Sequence, residues 1–137
     1  MTTKINNAAN KDRIKYMGFL NTEDYYALLN TCDIFCMTRI NSKFANAGFP
    51  FKLGEFLASG KGVIATNVGD VSKYLHNEEN SLLITPDSVS GIKNALLTFV
   101  NDPEKIHALG KEARKTAEKY FDSDKVSLKL LSIFNAV

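Results

Sequence analysis

GFPFKLGEFLASGKGVIATNVGDVSKYL, residues 48–75, places a helix, a stop and a strand in one run. Pro50 suits the first turn of a helix, where its missing N–H costs nothing. The predicted helix, FKLGEFLAS, runs over 51–59 and stops at Gly60, a suitable C-terminal glycine. Gly62 to Thr66 (GVIAT) is apolar throughout and too short for a helix, so it reads as a buried strand. Val68 to His76 reads as a loop and a short helix.

On the N-terminal side, Asp33 to Thr38 (DIFCMT) has the same character and predicts another buried strand. Residues 39–47, RINSKFANA, form a polar connection longer than the ~2–6 residues usual between strand and helix. Long loops in compact domains often carry function. Thr22 reads as the cap of a helix, TEDYYALLN, with Glu23 and Asp24 in its positive first turn. Arg13 to Gly18 (RIKYMG) alternates and ends in glycine, predicting a short strand, and residues 1–12 read as a polar arm before a domain spanning 13–137.

On the C-terminal side, Ser81 to Thr85 predicts a third buried strand. Three helices follow, opened by Ser88, by Asp102-Pro103, and by Asp122 or Ser123. Their expected inward stripes are Val89, Ile92, Leu96 and Phe99; then Ile106, Leu109, Ala113, Ala117 and Tyr120; then Val126, Leu130, Ile133 and Phe134. Strands alternating with helices imply an α/β fold, a Rossmann-like parallel sheet with helices on both faces. Right-handed crossovers put the strand-to-helix loops on one edge, where such sheets bind ligands.

The chain has 137 residues, 45% hydrophobic and 23% charged, which fits one globular domain and excludes a disordered, collagen-like or disulfide-stapled chain. The net charge of +2 is too small to argue for nucleic acid or a membrane as partner. No apolar run approaches the ~20 residues of a membrane span, and MTTKINNAANKDR has no signal-peptide core. Cys32 and Cys36 match neither a zinc site nor a Cys-x-x-C redox motif and read as two buried thiols in a reducing cytoplasm. No metal ligand set is expected, and His76 and His107 are poor candidates for a general base.

The chemistry concentrates in RINSKFANAGFPFKLGE, residues 39–55. A helix N-terminus presents free N–H groups and partial positive charge, to which Arg39 and Lys52 add full charges. Glu55 shares a helix face with Lys52, and a carboxylate there can accept hydrogen bonds from a vicinal diol such as ribose. Phosphate-binding positives followed by a diol-binding carboxylate describe a nucleoside diphosphate site. The competing reading is plain: an i,i+3 helix pair worth ~0.3 kcal/mol, an arginine covering the sheet edge, and Gly48-Phe49-Pro50 as an ordinary helix entry.

The same residues resemble the nucleotide-sugar motif of glycosyltransferase family 4, which reads Gly-Phe-Pro-x-Lys-x-x-Glu-Tyr-x-Ala-Ser-Gly-Lys-Pro-Val, then a strand ending in Ala-Thr and a glycine turn. Flanking pieces agree: RIKYMGF (13–19), the strand at Asp33–Thr38, Asn80-Ser81-Leu82-Leu83, and Asn101-Asp102-Pro103-Glu104. The resemblance covers roughly residues 13 to 121. It implies the donor-binding half of a two-domain GT-B enzyme, a retaining transferase moving a sugar from a nucleotide diphosphate sugar to a glycan or lipid-linked acceptor, as in polysaccharide biosynthesis. It implies no metal or other cofactor. Glu55 then matches the ribose-binding glutamate. The backbone around Phe49 and Phe51, after Gly48, matches the diphosphate cradle, and Gly18 and Phe19 match the turn at the base. Arg39 and Lys52 match basic positions near phosphate or sugar.

The departures are specific. Ala47 stands where the family has the glutamate that contacts the transferred sugar, Gly62 where many members have proline, and Lys73 where a glutamate often follows the glycine turn. Pro50 also removes an N–H from the cradle. The family's first two strand-helix units and its acceptor domain have no counterpart here. The expectation is therefore a partial donor domain, from an excised piece or a truncated reading frame, whose partner is the remainder of the enzyme. Its unpaired strand edge is expected to favour self-association. The expected location is cytoplasmic, or peripheral at the inner membrane face in the full-length enzyme. Two alternatives stand beside it: a degenerate, non-catalytic nucleotide-binding or interaction module, which Ala47 favours, and an unrelated receiver-like α/β domain. The latter needs acidic residues at strand ends, whereas Asp33 begins its strand.

Overall fold

A computed structural model describes residues 5–135. It contains two compact units, one ending at Thr31 and one beginning at Cys32. In the first, helix α1 spans Thr22–Thr31 and buries Leu29. Its cap is Asn21 rather than Thr22: the Asn21 Oδ1 accepts the Asp24 N–H at 2.8 Å, and its amide donates to the Asp24 carboxylate. Arg13–Gly18 is not a strand. Lys11–Arg13 forms a 3₁₀ turn, and the residues that follow join no sheet. Alternation without a neighbouring strand to take its N–H and C=O groups yields only extended chain, and Ile14 and Tyr16 are exposed there.

The second unit carries a parallel sheet of three strands in the order β1-β2-β3: Ile34–Met37, Gly62–Thr66 and Leu82–Ile84. Ile34 pairs with Gly62 and Ile64 with Leu82. Every residue of β2 is buried, as a central strand covered on both faces must be. The two-residue period of the strand divides the core. Val63 and Ala65 point to one face, with Leu53 and Leu57 of helix α3 (Lys52–Ala58), Val71, Leu75, and Ala113 and Ala117 of helix α5 (Pro103–Tyr120). Ile64 points to the other, with Leu82, Ile84, Ala95 and Phe99 of helix α4 (Val89–Asn101), and Leu109. A short helix α2 (Lys43–Asn46) interrupts the polar connection before α3, capped by the Ser42 hydroxyl, which accepts the Ala45 N–H.

The caps of the later helices lie where the sequence puts them. Ser88 accepts from Gly91, Asp102 from Lys105, and Asp122 from Asp124 and Lys125, opening α6 (Ser123–Phe134). Their inward stripes hold only in part. Phe99, Leu109, Ala113 and Ala117 are buried, whereas Val89 and Tyr120 are exposed. No residue of α6 is buried, including Val126, Leu130, Ile133 and Phe134. The thiols are not buried either: Cys32 is half-buried and Cys36 exposed, because β1 lies at the sheet's edge.

Thr66, Asn80 and Ser81 are the buried polar residues among those described, and Asn80 is the most extensively bonded. Asn80 donates to the Tyr74 carbonyl and to Thr116 Oγ1, both at 2.9 Å, while its carbonyl accepts the His76 N–H at 2.8 Å. It thereby ties the turn before β3 to α5.

Candidate nucleotide-sugar site at the carboxyl edge of the sheet

The strands β1 and β2 end at Met37 and Thr66, and polar side chains lace the segment after β1 to that edge. The buried Thr66 hydroxyl accepts the Arg39 N–H at 2.8 Å. The Arg39 guanidinium donates to the Gly48 carbonyl at 3.3 Å. Asn46 receives the Gly69 N–H at 3.0 Å and donates to Asn41, whose own N–H reaches the Asp87 carboxylate. Gly69 has φ +55, and a Cβ there would lie 3.1 to 3.2 Å from the carbonyl oxygens of Ala45, Asn46 and Gly48. Only glycine admits both that backbone and that approach. Thr66, Asn46 and Gly69 are thus positioning residues; Thr66 and Gly69 fall on the motif's strand end and glycine turn, whereas motif reading passes over Asn46. The signal for α2 was present, a serine ahead of a short helix-compatible run.

This lacing delivers the chain to α3. Phe49 turns its ring inward, 5.3 Å from that of Tyr74 and 5.5 Å from that of Phe121, so only its backbone can serve a cradle. Pro50 is buried, and its carbonyl accepts the Leu53 N–H. Phe51 is 90% exposed and has no side-chain capping bond. Lys52 is exposed and Glu55 half-buried. A groove of about 490 Å³ runs between α3 and the α5–α6 junction, lined by Phe51, Gly54, Glu55, Arg114, Phe121 and Asp122, among others. Arg114 closes one wall, donating to the Ala58 carbonyl and to Glu118.

The structure therefore groups the expected residues in two sets. Glu55 and Phe51 share the α3 groove, while Arg39 lines a second hollow of about 300 Å³ with Thr38, Thr66 and Asp87. Gly48 is exposed between them, bonded to Arg39. Gly18 and Phe19 belong to the first compact unit, where Gly18 has φ +65, a left-handed turn suited to glycine, and the Phe19 ring is fully exposed. Ala47 follows α2 with an exposed side chain, and Lys73 pairs with Asp70 at 3.0 Å. Among the described residues no group of three or more His, Cys, Asp or Glu side chains is placed to hold a metal.

A family profile described as Glycosyl transferases group 1 matches residues 1–116. The chain belongs to the glycosyl transferases group 1. Solved structures share its fold, the parallel α/β architecture of the GT-B C-terminal domain. HepE from Anabaena, in complex with UDP-glucose, is 21% identical with a TM-score of 0.86 over 99% of this chain and 36% of its own. The C-terminal domain of the group 1 glycosyl transferase LpcC from Francisella tularensis is 20% identical, TM-score 0.76, over 89% of this chain and 60% of that one. Sucrose-phosphate synthase from Thermosynechococcus elongatus is 22% identical, TM-score 0.74, over 91% and 30%. The chain thus spans about a third of the HepE length. No curated protein matches it. No helix among the described residues is long and apolar enough to cross a membrane.

Proposed function

We propose that this chain is the donor-binding part of a retaining glycosyltransferase of family 4, which transfers a sugar from a nucleotide diphosphate sugar to a glycan or lipid-linked acceptor. The observation that carries the reading is the group 1 profile over residues 1–116, in a fold whose relative HepE is solved with UDP and with UDP-glucose. Glu55 holds the ribose hydroxyls at the start of α3, and Phe51 frames them in the same groove. Backbone at Gly48, Phe49 and Phe51 faces the diphosphate, and Gly18 and Phe19 contact the base. Arg39 and Lys52 stabilise charge that builds on the departing diphosphate, a role in which preorganised positive groups contribute most. No resident cofactor is invoked. The remainder of the enzyme supplies the acceptor site, and the chain alone does not turn over. It works in the cytoplasm, or at the inner face of the membrane in the full-length enzyme. The edge strand β1 is expected to draw copies together, and sedimentation at micromolar concentration showing only monomer counts against this.

Calorimetric titration with UDP, GDP and ADP tests the donor site. Glu55→Ala is expected to weaken the preferred nucleotide by about 1.5–3 kcal/mol, as for a charged hydrogen bond. Equal affinity in variant and parent returns Glu55 to a helix-surface residue. Arg39→Ala and Lys52→Ala should weaken a nucleoside diphosphate more than the bare nucleoside, because their partner is phosphate. Equal losses for the two ligands would show that these side chains act on structure instead. A second reading, a degenerate module that binds nucleotide without chemistry, is favoured by Ala47 in place of a sugar-contacting glutamate. Transferase assay of the full-length gene product separates the two.

A further inference from the structure

Helix α3 is short, and Phe51 at its start makes no side-chain capping bond. Seven residues cannot hold a helix in water by themselves, so the direction of its first turn is set by what packs on it. Leu53 and Leu57 fix the face toward the sheet. The face toward α5 packs with Ala113 and Ala117, is bonded at its C-terminal end by Arg114 and, at its first turn, meets one aromatic ring. Phe121 lies against Gly54, where an added Cβ would stand 3.5 Å from its Cγ. The same ring stacks on Phe49 at 5.5 Å and 21°, and tilts against Tyr74 at 5.0 Å. Tyr74 in turn meets Tyr120 edge-on at 5.4 Å. Phe121 thus touches the loop that enters α3 and the helix's first turn together, and it lines the groove that Glu55 faces.

We propose that Phe121 is a positioning residue for the nucleotide, acting through Glu55. The proposal rests on the reading of Glu55 as the ribose ligand. A carboxylate accepting two hydrogen bonds from a diol tolerates little displacement, and an error of about 1 Å at such a site can cost on the order of 10²-fold. The ring of Phe121 excludes the small rotations of α3 that would produce it. It comes from the far end of the chain's longest helix, so no motif around residues 48–55 contains it.

The test is a double-mutant cycle on the 137-residue chain, read by calorimetric titration with UDP, GDP and ADP and followed with the tightest binder. Phe121→Ala is expected to weaken that nucleotide about tenfold and Phe121→Tyr to restore it, while Glu55→Ala weakens it by about 10- to 100-fold. In the Glu55→Ala background, Phe121→Ala should cost less than about twofold further. Circular dichroism checks folding at the titration temperature. If Phe121→Ala unfolds there, Phe121→Leu, which keeps the volume and loses the flat ring, supplies the same cycle. Full affinity in Phe121→Ala, or an undiminished loss when Glu55 is already absent, overturns the positioning role and leaves the donor site standing. No nucleotide binding by the parent chain, or equal binding by the parent and Glu55→Ala, overturns the donor-site reading itself.

Discussion

Helices α5 and α6 are built from the same grammar and end in opposite environments. Each opens on an aspartate that accepts N–H groups of the first turn, and each carries apolar residues at helical spacing. In α5 the stripe of Leu109, Ala113 and Ala117 is buried against α3 and the sheet. In α6 the stripe runs from Val126 at 51% exposure to Phe134 at 70%. Periodicity says which face of a helix seeks cover; it does not say that the chain contains the cover. What distinguishes α5 is a matched surface, including Gly110, where a Cβ would stand 2.1 Å from the Gly60 carbonyl oxygen.

Core truncation gives the widest separation between a covered and an uncovered helix. Phe99→Ala, at a fully buried ring of α4, is expected to cost about 3–5 kcal/mol in urea unfolding. Phe134→Ala in α6 should cost less than about 0.5 kcal/mol. A large loss at Phe134 would mean that α6 is covered in solution, and the contrast would fail. Overpacking probes the matched surface: Gly110→Ala should lose about 3 kcal/mol, since backbone at Gly60 must move, and a near-neutral result would show that α3 and α5 slide freely.

The smallest effect concerns the anchorage of α6. The Asp122 carboxyl is held below the usual carboxylate range, first by the Lys125 N–H; desolvation opposes this, and the Asp124 N–H and the Lys125 charge add to the lowering. A lowered folded value means the cap is fully effective above the ordinary pKa of 3.8 and is lost as pH falls through the folded value. Helical signal from α6 should therefore weaken at acid pH in the parent and not in Asp122→Asn, followed by circular dichroism. Identical acid profiles would remove Asp122 as the anchor.

Much of the second unit was legible because its signals are local. GVIAT is a short apolar run between a glycine stop and a polar turn, and it became the buried central strand. Ser88, Asp102 and Asp122 are caps whose partners lie two or three residues on. RIKYMG misled because a strand is a property of two segments, and alternation describes only one. The stripe of α6 misled for the same reason. At the site, Glu55, Lys52 and Arg39 could be picked out by chemistry and by resemblance, yet the placing of Glu55 and Arg39 in two separate hollows could not. Phe121 and Asp87, which line those hollows, lie far from residues 39–55 in sequence and near them only after folding.

The locked amide of Asn80 bears on how this protein ages. An asparagine followed by a small residue, here Ser81, deamidates when the next backbone nitrogen attacks the side-chain carbonyl carbon. Asn80 can swing toward that nitrogen only by giving up its bonds to His76, Tyr74 and Thr116 together. Deamidation there is therefore a slow clock that advances only when the turn before β3 opens. The change also loosens the turn, because an aspartate carries no amide donor for the Tyr74 carbonyl, and a turn that has aged opens more readily.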